Sequence, residues 1–340
     1  MCSLVTGQQP SQGYITFSLT NGPEYHILQV AVAVLVAREL GASLVLPDIR
    51  GSKPGDRRNF REIYDVEEFA NRLNGVVKVA RNQLALASSR KLAVVKVPYM
   101  VSKDYIRTHI KPFFKAEGSI RLETPLSSIN MKKAEATKVL DPITCLTMFR
   151  TLRLQTKVRQ LVDQMIGRLK TLGGESNGQF IAVDLRVEAA QSKSCQPSGS
   201  AEMKFCHHAQ DVGEFLTKTG VSTETPIYVT QSRWHKNLKP LTDIFPRTFT
   251  KEFLMPPDKK DMFLSSASCE LEKVIDFYLA SESDVFIPAS ANWFYATVAG
   301  SRIASGRTRI LVPTLTSSSS SSHISPYISE RKHYAYSCFC

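Results

Sequence analysis

Ser281–Arg302, SESDVFIPASANWFYATVAGSR, sets an acidic turn, a short apolar strand and a helical pattern in immediate succession. Glu282, Ser283 and Asp284 make the turn, Val285 to Pro288 the strand, and Ala291 to Ala299 carry the helical period. A strand that runs straight into a helix leaves the first backbone N–H groups of that helix pointing at whatever lies beyond the strand, an arrangement that favours phosphate. Two readings stand for Asp284, ordinary turn formation or a hold on a base or ribose group. Two stand for Ser290, a helix N-cap or a contact to phosphate.

The same strand–helix alternation extends in both directions. Tyr14 to Leu19 alternates as a strand, Asn21-Gly22-Pro23 turns, and Ile27 to Leu40 reads as a long apolar helix with Gly41 at its C-cap. Ser43-Leu-Val-Leu-Pro47 is the next strand, and short connections between buried-looking strands predict a parallel sheet. After the loop from Asp48 to Asn59, rich in Arg, Lys, Gly and Pro, a helix is expected near 66–73, with strands near 76–80 and 93–97. Helical periodicity over 151–171 stops at Gly173-Gly174-Glu-Ser-Asn-Gly178, which reads as a hinge between domains. Beyond it, strands are expected at 180–185, 226–230, 248–253, 284–287 and 309–312, and helices at 209–219, 238–244, 269–280 and 293–299. The resulting division is a leader over 1–12, one domain over 13–172, a second over 173–315, and a disordered serine-rich tail over 316–340.

The 340 residues suffice for two domains, and a composition of 43% hydrophobic and 22% charged residues is that of a globular protein. A net charge of +12 raises nucleic acid as a partner. The basic residues are scattered, however, and no aromatic-rich RNA-binding signature accompanies them, so a solvated basic surface or a basic cleft for an anionic ligand accounts for the charge. The seven cysteines have no metal-ligand spacing. In an oxidising compartment, Cys195–Cys206 is the local pair expected to form a disulfide. His207-His208 beside Cys206 is expected to face solvent. No apolar stretch approaches the roughly 20 residues that span a bilayer. The opening Met1-Cys-Ser-Leu-Val is too short for a signal peptide.

Several segments together resemble one family. Phe180-Ile-Ala-Val-Asp-Leu-Arg186, Pro226-Ile-Tyr-Val-Thr-Gln-Ser-Arg233, Ser281–Arg302 and the opening Phe17-Ser-Leu-Thr-Asn-Gly22 resemble motifs of the plant O-fucosyltransferase-like family, related to GDP-fucose protein O-fucosyltransferases. The wording of Thr20–His26 and Leu46–Gly55 is similar to its mannan-synthesis-related branch. The resemblance implies an α/β fold of two Rossmann-like domains facing a cleft, the GT-B type of glycosyltransferase. It implies inverting, metal-independent transfer from a nucleotide sugar, GDP-fucose or a related GDP-sugar, with no cofactor. Expected partners are a glycan or glycoprotein acceptor and a polysaccharide synthase, with no nucleic acid. The expected setting is plant cell-wall or mannan synthesis in the Golgi lumen, reached by an N-terminal anchor that this sequence does not visibly carry.

By the same resemblance, Arg186 meets the donor's diphosphate and glycosidic oxygen. A guanidinium offers fixed charged donors where negative charge grows as that bond breaks. The alternative is a simple pairing with Asp184 or Glu188. Glu24, in a Pro-Glu pair like that of one protein O-fucosyltransferase branch, is either the acceptor base or a favourable negative charge in the first turn of a helix. His26 is a weaker candidate base. Asn21, Gly22, His26, Asp184, Gln231, Ser232, Arg233, Asp284 and Ser290 complete the expected donor-binding set. Trp234 and Trp293 belong either to the core or to an acceptor groove. Two departures from the family pattern stand out. Asp184 occupies a position where many members have His, and Pro23–Gln29 lacks the Asn-Gln-x-x-Arg run of plant members. They leave open a donor or acceptor other than fucose and protein, or lost activity. The departure around Asn21–Gln29 and the absent visible anchor lead to the alternative of a non-catalytic accessory protein of a glycan synthase.

Overall fold

The computed structural model describes residues 13–51, 55–81, 92–126, 140–174, 177–187, 206–264, 269–313 and 323–339. They form two compact units, and the boundary falls at Val158–Arg159, inside the Thr156–Leu172 helix, rather than at the expected hinge of Gly173 and Gly174.

Seven strands make the sheet of the first unit: β1 (Tyr14–Thr20), β2 (Ser43–Val45), β3 (Asp48–Arg50), β4 (Arg57–Asn59), β5 (Val79–Ala80), β6 (Ala93–Lys96) and β7 (Ser119–Glu123). β1 is central. Its first residues pair in parallel with β2 and its last three with β3, while β7 runs along its other edge and carries β6. Pro47 lies between β2 and β3 and has no N–H to give to the ladder, so pairing lapses there and resumes at Asp48. Among the described strands of this sheet, β4 alone runs antiparallel, against β3.

The turn leaving β1 needs two successive positive φ angles, 66° at Asn21 and 111° at Gly22, which asparagine and glycine tolerate best. The Gly22 carbonyl then accepts the N–H groups of Tyr25 and His26, both at 3.0 Å, and opens the Pro23–Leu40 helix with proline in its first turn. That helix is buried on nearly every side, as its uniformly apolar sequence requires, and it ends at Gly41 in the left-handed region. Sequence reading missed β7, whose alternate positions carry Arg121 and Glu123. It also missed the helical stretch Lys103–Glu117, where a π turn at Ile106–Ile110 breaks the simple period.

The second unit is an all-parallel sheet of β8 (Ile181–Asp184), β9 (Ile227–Val229), β10 (Thr248–Phe249) and β11 (Val285–Pro288), in the order β10-β9-β8-β11. Ile181, Val183, Ile227, Val229 and Ile287 pack with Val212, Phe215, Leu216 and Leu241 of the Ala209–Lys218 and Lys239–Ile244 helices. These helices approach closely at Gly213, where a Cβ would stand 2.8 Å from Ile244 Cδ1. On the alternate side of β11, Phe286 meets the rings of Phe294 and Tyr295, each at 6.4 Å. The strand expected over 248–253 is cut short because Lys251–Leu254 turns into a helix. The closing strand expected at 309–312 is reduced to two isolated bridges, Ile310 parallel to Phe286 and Leu311 antiparallel to Ile324.

Arg302, the last of the quoted motif residues, is fully buried. It donates to the carbonyls of Ala280 (2.9 Å), Ser283 (2.7 Å), Asp284 (3.1 Å) and Arg309 (3.1 Å), which ties the turn before β11 to the Trp293–Ala304 helix. Burial pushes its pKa down to about 10.

The tail expected to be disordered is ordered over 323–339. Pro326–Ser329 and Tyr334–Cys338 are helical turns, and Ser325, Tyr327, His333 and Tyr334 are buried. The serine run at 317–322 lies outside the described residues, as does the expected leader. His333 Nε2 donates to the Ala296 carbonyl at 2.9 Å and Nδ1 accepts from the Ala335 N–H at 3.0 Å, so the ring is held neutral.

Two outcomes are expected. Arg302→Met strands several buried carbonyls and lowers unfolding free energy by more than about 3 kcal/mol in urea titrations. Burial also pushes the His333 pKa down to about 3, below its ordinary 6.5. A depressed pKa means the folded state binds this proton less readily than the unfolded one. Its stabilising effect is therefore intact above pH 6.5 and is lost as pH falls towards 3, by up to about 1.4 kcal/mol per unit. Urea midpoints from pH 7 to 5 should fall more steeply in the parent than in His333→Asn.

Candidate active site

The carboxyl ends of β8 and β9 bring together Asp184, Arg186, Gln231 and Ser232, with Ser290 and Asn292 arriving from the segment after β11. Ligands of parallel α/β sheets bind at this edge. Asp184 is buried and accepts from Thr230 Oγ1 at 3.0 Å and Asn292 Nδ2 at 3.1 Å, so it joins three segments. Burial raises its pKa, against the opposing charge of Arg186. Gln231 Oε1 accepts the Val187 N–H at 3.3 Å, and Ser232 donates to Glu272. Arg233 is more exposed and lies 3.8 Å from Glu252.

Arg186 stands just beyond β8 with its side chain one-third exposed. Its guanidinium lies 5.5 Å from the centre of the Phe294 ring, and Nη2 is 3.6 Å from Asp276 Oδ2. Asp276 is buried on the Cys269–Glu282 helix and is the hub of the site. Its Oδ1 accepts from Lys251 Nζ at 2.6 Å and from the Tyr228 hydroxyl at 2.5 Å. Lys251 is itself only 1% exposed, and burial pushes the Tyr228 hydroxyl well above its ordinary pKa, so it stays a donor. Sequence reading overlooked this cluster. The available signal was one acid, Asp276, flanked in sequence by the apolar Val274, Ile275 and Phe277.

Two expected roles change. Asp284 precedes β11 at the opposite, amino-terminal edge of the sheet, where its Oδ2 accepts the Phe180 N–H at 2.9 Å; it ties β8 to β11 and does not join the Arg186 cluster. The N-cap of the Trp293–Ala304 helix is Asn292, whose Oδ1 takes the Tyr295 N–H at 2.7 Å. Ser290 accepts from Asn292 at 2.8 Å instead of capping. Trp293 is buried in the core and Trp234 is exposed.

In the first unit, Asn21 and Tyr25 line a cleft at the carboxyl ends of the strands. Glu24 is buried in the same turn, and burial followed by the Glu24 charge raises the Tyr25 pKa. His26 is fully buried, with Nδ1 2.8 Å from the Tyr64 hydroxyl, which places it in the core. Cys145, Cys206 and Cys338 are disulfide-bonded, whereas Cys195 lies outside the described residues. Among the described residues, no helix is long and apolar enough to cross a membrane.

Two Rossmann-like α/β units are the architecture of GT-B-type glycosyltransferases, and solved structures share it. POFUT1 in complex with GDP matches with a TM-score of 0.55 at 12% identity over 90% of this chain and 100% of that one. Its apo form matches at 0.57 and 11% identity, over 90% and 99%. The chain belongs to the GDP-fucose protein O-fucosyltransferase family, whose model matches residues 26–304. It falls with the mannan-synthesis-related branch. Protein MANNAN SYNTHESIS-RELATED 2 of Arabidopsis thaliana is 51% identical, over 97% of this chain and 79% of the relative. Protein MANNAN SYNTHESIS-RELATED of Trigonella foenum-graecum is 46% identical, over 98% and 81%.

Removing the charge of Asp276 leaves the Lys251 ammonium uncompensated in a buried site. Asp276→Asn is expected to cost about 3–5 kcal/mol of stability. The double variant Asp276→Asn/Lys251→Met should recover much of that loss, and a double-mutant cycle of denaturant midpoints measures the coupling.

Proposed function

We propose that this chain is an inverting, metal-independent glycosyltransferase that takes its sugar from GDP-fucose or a related GDP-sugar, in plant cell-wall polysaccharide or glycoprotein synthesis. One observation carries the reading: the Arg186 guanidinium is anchored from behind by Asp276 and remains partly open at the carboxyl edge of the sheet. A cation held in this way meets a diphosphate without reorganising as negative charge builds on the leaving oxygen. In the transfer, the acceptor hydroxyl attacks the anomeric carbon from the face opposite the nucleotide. The bond to the diphosphate oxygen breaks, GDP leaves with the bonding pair, and a base takes the hydroxyl proton. We assign that base to Glu24, buried in the first turn of the Pro23–Leu40 helix between the cleft-lining Asn21 and Tyr25. Disulfides at Cys145, Cys206 and Cys338 support an oxidising compartment, in keeping with the Golgi lumen.

Asp184 favours a second reading. A carboxyl group beside Arg186 competes with the diphosphate for that cation whenever it is ionised, which weakens donor binding and fits an accessory partner of a mannan or other glycan synthase. Calorimetric titration with GDP, UDP and GDP-fucose separates the two. The enzyme reading expects selective GDP binding, weakened at least about tenfold in Arg186→Ala, and Glu24→Gln with reduced turnover but unchanged GDP affinity. A folded chain that binds no nucleotide leaves the accessory reading.

A further inference from the structure

The cleft of the first unit, of about 430 Å³, opens at the carboxyl ends of β1, β3, β6 and β7. Arg50, Lys96 and Arg121 line it, and the charge around it is unbalanced. One carboxylate, Asp48, serves three guanidiniums: Arg121 Nη2 at 3.4 Å, Arg50 Nε at 3.6 Å and Arg57 Nε at 3.8 Å. It also accepts from Ser18 Oγ at 2.6 Å, and Arg121 donates to that same hydroxyl. The Nε of Arg50 is buried and makes no hydrogen bond among the described residues. Among the described residues that line the cleft, Glu123 is the one carboxylate, set against Arg50, Lys96 and Arg121. Arg121 responds as a crowded cation does: burial and then the charge of Arg50 lower its pKa. Half-buried like charges of this kind are relieved by an anion that takes charge-assisted hydrogen bonds from them.

The rest of the wall suits a saccharide. Thr20, Asn21 and Thr124 present small polar groups, Tyr25 presents an aromatic ring, and the volume lies in the range of small-ligand sites. We propose that this cleft binds an acidic glycan, with a uronate carboxylate joining the Arg50 and Arg121 guanidiniums. The inference rests on the reading above, in which the donor diphosphate goes to Arg186 and leaves this cleft to the acceptor. A planar carboxylate matches the guanidinium fork, whereas a neutral sugar leaves the excess charge unanswered.

The test titrates the intact chain with tetragalacturonate, mannotetraose, hexaglutamate and GDP. Tetragalacturonate is expected to bind at least about tenfold more tightly than mannotetraose at low salt, with the difference shrinking as salt is added. Arg50→Gln and Arg121→Gln should each weaken tetragalacturonate binding about tenfold and leave GDP binding intact, which also reports that they fold. Arg186→Ala should do the reverse. The proposal is overturned by absent tetragalacturonate binding, by mannotetraose binding as tightly, by hexaglutamate binding more tightly, or by both Gln variants retaining uronate affinity. Arg50-dependent uronate binding in a chain that binds no GDP would sink the donor reading and leave this one intact.

Discussion

The negative charge of Asp276 is the constraint on which the second unit's site depends. A carboxylate at 3% side-chain exposure is costly unless its lone pairs are occupied, and here they are shared among Lys251, Tyr228 and Arg186. Those three residues come from the helix after β10, from β9 and from the end of β8. One buried charge therefore aligns three neighbouring segments and the Cys269–Glu282 helix that bears it. Arg186 is held from one side by a long contact to Asp276 and by the Phe294 ring, and its side chain stays one-third exposed just past the end of β8.

Arg302 and Arg186 show how context divides one side-chain chemistry into two tasks. Arg302 is solvated by backbone carbonyls and shut away from water, so it acts as a structural tie between a turn and a helix. Arg186 has one buried anion behind it and an open side, which is the condition for meeting a ligand. In the first unit, the arginines around Asp48 outnumber the carboxylate that serves them, and the imbalance itself is the binding feature. The two sites are thus tuned by different means, a satisfied network in one and an unsatisfied one in the other.

Much of the fold was legible because its strands are short, apolar and bounded by turn residues. β1, the Pro23–Leu40 helix, β8, β9 and β11 follow their periodicity closely. β7 was not legible: a central strand with Arg121 and Glu123 on alternate positions looks like a surface segment until the cleft it borders is known. The ordered segment at 323–339 was missed for a related reason. It has no internal period, and its burial comes from docking Tyr327, His333 and Tyr334, with Ser325 bonded to Tyr295. The motifs led to Asp184, Arg186, Gln231 and Ser232, which the fold places together at the carboxyl edge of the sheet, while Asp276 and Lys251 carry no local mark in the sequence beyond the apolar neighbours of Asp276.

Local chemistry acts through neighbours in sequence, so the chain alone determined β1, the Pro23–Leu40 helix, β8, β9 and β11, the Asn21-Gly22 turn, and the position of Arg186 just past a strand. Which charges would meet depended on segments far apart in the chain. Only the tertiary structure put Lys251 against Asp276 and Arg121 against Asp48, moved Asp284 to the far edge of the sheet and buried His26 against Tyr64. Burial decided these outcomes. An ionisable group removed from water must find its partner among whatever the fold brings near, and that choice is not written in any one stretch of sequence.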